Sequence, residues 1–225
     1  MGAVLTLSLC TTMAMMAAQG RAREAIPLHL CGLSALAAAV VAFGVRGFAL
    51  DFLWYIGLPG ALLALVFPAP AISRWQTALN LSYAATHALI VLIPLSVMAR
   101  GARPERNGAP LTLIALQFAG LAAFFVNRAL GTDFMFLCAP PAGTPLEDVF
   151  AWGYLPYLCA LEGLMLACCL LMGALLGAGE RTRAALKLRS IAPGKKHGAR
   201  IPTAECTRAS DPADKSPCEI PPDAL

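Results

Sequence analysis

The charged residues of this chain fall in short clusters, and between the clusters lie long runs with almost no charge. Arg21, Arg23 and Glu24 make one such break, Arg100 to Arg106 another, and a third lies around Asp133 to Asp148. Of 225 residues, 58% are hydrophobic and 13% charged, with mean hydropathy +0.68. A soluble domain averages roughly 25% charged. Runs of that kind, at about 20 residues per crossing, are what a bilayer selects. The chain therefore reads as an all-α membrane protein, a six-transmembrane-helix bundle occupying residues 1–179. The polar, basic segment 180–225 reads as a disordered cytoplasmic tail.

The expected helices are Val4–Ala18, Ile26–Phe43, Phe52–Phe67, Trp75–Met98, Leu111–Leu130 and Tyr154–Leu176. The first is marginal in length. It lacks the basic start and small-residue cleavage site of a signal peptide. Met1-Gly2-Ala3-Val4-Leu5-Thr6 fits a loose myristoylation pattern only. Pro27 suits the first turn of the second helix. Gly57-Leu58-Pro59-Gly60 predicts a kink or a close helix approach in the third. Gly173-xxx-Gly177 is a small-residue packing pattern in the sixth. The connection Gly131–Gly153 is expected to fold back on the membrane surface.

With six crossings, Arg46, Arg100, Arg103 and Arg106 share a side with Arg181 to Arg189, which places both termini in the cytoplasm. The net charge of +4 comes largely from the tail. It is not interleaved with aromatics, so a nucleic-acid partner is not expected. Cys10, Cys31, Cys159, Cys168 and Cys169 lie in apolar runs and read as packing residues, not as a disulfide framework. No zinc spacing occurs, and no cofactor is expected.

Few polar groups interrupt the apolar runs: Cys31, Asn80, Tyr83, His87, Asn127 and Glu162. Each is expensive in hydrocarbon unless it is paired, lines a wet cavity, or does chemistry. Asn80, Tyr83 and His87 follow an i, i+3, i+7 spacing and share one face. Gln117, Phe124 and Arg128 align likewise, as do Cys159, Glu162 and Cys169, and these stripes are expected to face the bundle interior. Depth estimated at ~1.5 Å per residue puts Cys31 roughly 8 Å in and His87 roughly 18 Å in. The structural reading makes Asn80, Tyr83 and Gln117 interhelical glue, leaves Cys31 as packing, and lets Arg128 snorkel. It puts His29 at the interface and leaves Glu162 either protonated or paired with Arg128 or a histidine. The functional reading pairs a thiol nucleophile, Cys31, with an imidazole base, His87. Asn127 or Glu162 would orient the imidazole.

Pro27-Leu28-His29-Leu30-Cys31, Gly57-Leu58-Pro59-Gly60-Ala61-Leu62-Leu63, the His87 helix ending near Pro94, Asn127 to Leu137, and Leu161-Glu162 together resemble the YwaF-like bacterial integral membrane proteins. The likeness covers about residues 25–170. That group is similar to the transmembrane protein 164 family of acyltransferases. The resemblance implies acyl transfer between phospholipids, with Cys31 as acyl-accepting nucleophile and His87 as its base. It extends more loosely to His29, Asn127, Asp133 and Glu162 as supporting residues. Membrane lipids are the expected partners. An intramembrane lipid esterase and a non-catalytic scaffold or transporter are the alternatives. Against a transporter stands the lack of internal repeats or paired broken helices.

Overall fold

The computed structural model describes residues 1–67 and 76–191. The described residues contain helices and no strand. They divide into Met1–Ala185 and a second unit from Leu186, of which only the helical end up to Ile191 is described. Helices are α1 Gly2–Ala18, α2 Leu30–Ala42, α3 Phe48–Val66, α4 Gln76–Ala99, α5 Gly108–Leu130, the short α6 Leu146–Phe150, and α7 Tyr154–Ile191. Four contain stretches long and apolar enough to cross a membrane: Phe48–Val66, Thr77–Ala99, Gly108–Leu130 and Tyr154–Lys187.

The other two helices are shorter than expected for crossings. α1 has 17 residues and α2 only 13. At ~1.5 Å per residue, α2 reaches about 20 Å, well short of a ~30 Å hydrocarbon core. Its start is the reason. Pro27 does not open the helix: residues 19–29 form turns, and His29 is the N-cap in an extended conformation (φ −68°, ψ 153°). Gly32 sits directly against that turn, where an added Cβ would lie 2.8 Å from the Pro27 carbonyl oxygen. Only glycine at 32 lets the 24–29 segment fold onto the first turn of α2.

α1, α2 and α4 pack on one another, and α3 packs between α2 and α4. Leu5, Ala35, Ala38, Val41, Leu53, Ala61, Ile90 and Ile93 form their shared core. Because apolar attraction between helices is weak in lipid, hydrogen bonds matter for holding α1. Ser8 bonds Ser82 (3.0 Å) and Thr86 (2.9 Å), and Thr12 bonds Ser82 (2.5 Å). That hydroxyl ladder runs α1 antiparallel to α4.

α3 contains the expected irregularity. Leu53–Gly57 is a π-helical turn, fully buried. It turns Trp54 to donate to the Met172 carbonyl of α7, and Tyr55 to reach the carbonyls of Glu105 and Arg106. Asp51, one turn earlier, accepts the Glu105 N–H at 2.7 Å. The α4–α5 connection is thereby clamped to the start of α3.

α7 runs unbroken for 38 residues, past the expected end at Leu176. Residues 180–191 are therefore helical, in keeping with their content of Ala, Leu, Lys and Arg. The remainder of the tail, 192–225, lies outside the described residues.

Candidate active site

His87 is 3% exposed on α4, on the face continued by Ile90 and Ile93. Its Nδ1 lies 2.8 Å from the backbone carbonyl oxygen of Tyr83, which can only accept, so Nδ1 carries the proton. The Nε2 lone pair is then the basic position of the ring. Tyr83 stacks on the imidazole, with centroids 4.0 Å apart, and its hydroxyl donates to the Ala64 carbonyl of α3. The tyrosine thus braces the histidine from two sides. Asn80, the third member of the expected stripe, is exposed.

Cys31 is half-buried in the first turn of α2, on the side continued by Ser34, Ala35 and Ala38. The long face of α3 serves as a ruler for depth. Leu30 lies against Gly60 and Ser34 against Gly57. α2 therefore begins about six residues, ~9 Å, inside the end of α3. Cys31 thus lies beside the Leu30–Gly60 contact of α2 with α3. The Tyr83 hydroxyl meets Ala64 of α3, and His87 is one turn, ~6 Å, farther along α4.

A cleft of about 440 Å³ lies at the turns before α2 and after α5. Gly20, Arg21, Arg23, Glu24 and His29 line it on one side, and residues 130–134 with Phe136 on the other. Its charges are engaged within the protein. Arg21 pairs with Glu24, Arg23 donates to the Leu130 carbonyl at the end of α5, and Asp133 accepts the N–H groups of Cys138 (2.8 Å) and Ala139 (3.2 Å). The Arg21 guanidinium holds the Glu24 carboxyl below the usual range.

Asn127 does not orient the His87 imidazole. It is buried, and its side chain bonds the connection after α5. Oδ1 accepts the Phe134 N–H (2.7 Å) and the Thr132 hydroxyl (3.0 Å), while Nδ2 donates to the Phe134 carbonyl (3.0 Å). Tyr154 and Tyr157 tie the same segment to α7 through the Leu137 and Phe136 carbonyls.

The polar partner of Glu162 is a glutamine of α5. Gln117 donates to it at 2.6 Å, and both residues are exposed. Arg128 and Phe124 are exposed as well. Gln117, Phe124 and Arg128 on α5 and Cys159 and Glu162 on α7 thus lie on the outside of the bundle, whereas Cys169, the third member of the α7 stripe, is buried with Trp54, Met172 and Leu176. Among the described residues, no group of three metal-ligating side chains converges.

The roles of Gly32, Asp51 and the Ser8–Thr12–Ser82–Thr86 ladder emerge only in the fold. Hydroxyls inside apolar runs at i, i+4 spacing on two helices were the available signal for the ladder.

The long apolar helices and the few polar groups they enclose define a helical membrane protein. A family model, that of the TMEM164 family, matches residues 1–173, and the chain belongs to that family. No curated protein and no solved structure matches the chain.

Proposed function

We propose that the protein is a membrane acyltransferase acting on lipids, with Cys31 as nucleophile and His87 as general base. The observation that supports it most is the fixed imidazole. With Nδ1 committed to the Tyr83 carbonyl, only Nε2 is free to take a proton. Membership of the TMEM164 family supports the lipid-directed reading.

The reaction balances in two steps. Cys31 gives its proton to Nε2, the thiolate attacks the ester carbonyl carbon of a donor lipid, and the C–O bond breaks. The departing lipid alkoxide takes the proton back from the imidazolium, leaving a thioester on Cys31. An acceptor lipid hydroxyl then gives its proton to Nε2 and attacks the thioester. The C–S bond breaks, and the sulfur regains the proton. Water as the acceptor would make the same site an esterase. In this reading Arg46, Arg100, Arg103 and Arg106 mark the cytoplasmic end. The 440 Å³ cleft opens at the opposite interface.

The test is turnover of phospholipid carrying a labelled acyl chain, with the purified protein in vesicles containing a lysolipid. Labelled product lipid is expected from the wild type and none from Cys31→Ala. Equal product from both would overturn the assignment.

A further inference from the structure

Two residues before Cys31, the His29 imidazole stands between the start of α2 and the connection that follows α5. Its Nδ1 accepts the Met135 N–H at 3.3 Å. The ring meets Phe134 edge-on at 5.1 Å and Phe136 at 5.7 Å between centroids. Met135 and Phe136 both hold positive φ, 60° and 55°, a region that non-glycine residues rarely occupy. Two successive residues of that kind cost energy, and surrounding contacts must hold them there. Asn127 fixes the segment before them and Asp133 the segment after. At the strained pair itself, the contact across to α2 is His29.

We propose that His29, as an uncharged imidazole, is the positioning residue for Cys31: it latches the 134–136 turn onto the first turn of α2. The inference rests on the acyl-transfer reading of Cys31. An Nδ1 that accepts must be unprotonated, so a proton on this ring replaces the acceptor with a second donor facing the Met135 N–H. The latch then opens. The groups facing the imidazole are Glu24, Arg21 and Arg23 from the turn before α2 and Asp133 from the connection after α5. Burial holds His29 below the ordinary imidazole range, and Asp133 and Glu24 pull it partly back. The latch is thus closed at neutral pH and opens as pH falls below that range. An open latch frees the first turn of α2, and with it the thiol.

The experiment uses the full chain in vesicles and reads two quantities. The first is hydrogen exchange of the 134–139 segment against pH in wild type, His29→Asn and His29→Phe. The second is the rate at which a phospholipid-like electrophilic probe labels Cys31 in the same samples. Asn offers an acceptor oxygen in the place of Nδ1 and does not titrate; Phe keeps the aromatic contacts without the acceptor. At neutral pH, His29→Phe should exchange at least tenfold faster and label about tenfold more slowly, with His29→Asn restoring most of both. On acidification to pH 5, wild type should exchange several-fold faster than His29→Asn at the same pH. Identical exchange in wild type and His29→Asn at every pH overturns the latch. Failure of Asn to rescue what Phe loses also overturns it. Exchange that differs as expected, with no label on Cys31 in any sample, upholds the latch and overturns the acyl-transfer reading instead.

Discussion

His87 donates through Nδ1 to the backbone carbonyl of Tyr83, one turn earlier on the same helix, at 2.8 Å. The bond selects the tautomer and leaves Nε2 as the proton acceptor. Removing the imidazole should therefore remove general-base catalysis and leave the thiol in place. His87→Ala is expected to slow Cys31 acylation at neutral pH by about 10²–10⁴-fold. Raising the pH should recover part of the rate, because hydroxide then forms the thiolate. A pH–rate profile of probe labelling checks this.

Tyr83 acts on the ring by contact and through the Ala64 carbonyl. Tyr83→Phe keeps the stacked ring and loses the hydrogen bond between α4 and α3. Such bonds inside membranes average about 0.6 kcal/mol. The variant should stay folded with a small loss of stability, whereas Tyr83→Ala should lower the acylation rate well beyond that. Comparing unfolding midpoints with labelling rates separates the two effects.

Gly32 supports the site by its lack of a side chain. A Cβ there would lie within 2.9 Å of three Pro27 backbone atoms, so the turn carrying His29 must move. Gly32→Ala is expected to destabilise by about 1–3 kcal/mol, as for overpacking. At Gly120 an added Cβ meets nothing within 4 Å. Gly120→Ala should be neutral or stabilising, since Ala favours helix more than Gly does. Thermal unfolding of the two variants in the same detergent reads the difference.

Asn127→Ala would strand the buried N–H and carbonyl of Phe134. Unsatisfied groups of that kind cost about 1–3 kcal/mol each. The expected result is faster hydrogen exchange across residues 131–139, with the helical content of α5 retained. Unchanged exchange would mean that the segment is held elsewhere.

His29 also sets a direction for stability against pH. Its folded-state pKa lies below the ordinary value, so the folded state resists protonation more than the unfolded chain does. The stability is fully present above the ordinary imidazole range. It is lost as pH falls from there through the lowered folded value. Unfolding midpoints of wild type should fall on acidification in that window more than those of His29→Asn.

The hydropathy blocks made the helical membrane architecture legible, because charge exclusion from lipid acts on every residue of a run. They did not fix where α2 begins. Pro27 is compatible with a first helical turn, and only the tight packing of Gly32 against it shows that the helix starts at Leu30. Spacing placed Tyr83 and His87 on one face correctly. It could not tell which way the faces of α5 and α7 turn, because periodicity gives a stripe and not its partner. Gln117 and Glu162 consequently satisfy each other on the outside. The role of Asn127 was hidden for a different reason: its partners are backbone atoms of Phe134, which carry no sequence signature.

The central claim is a covalent acyl group on the Cys31 sulfur. The most direct measurement is mass spectrometry of the wild-type protein quenched in acid during turnover with phospholipid. Peptide mapping and hydroxylamine treatment follow. The account predicts one acyl adduct on the peptide containing Cys31, released by hydroxylamine and absent from Cys31→Ala. Continued lipid turnover by Cys31→Ala, or an adduct mapped to Cys138 or Cys159 instead, would contradict it.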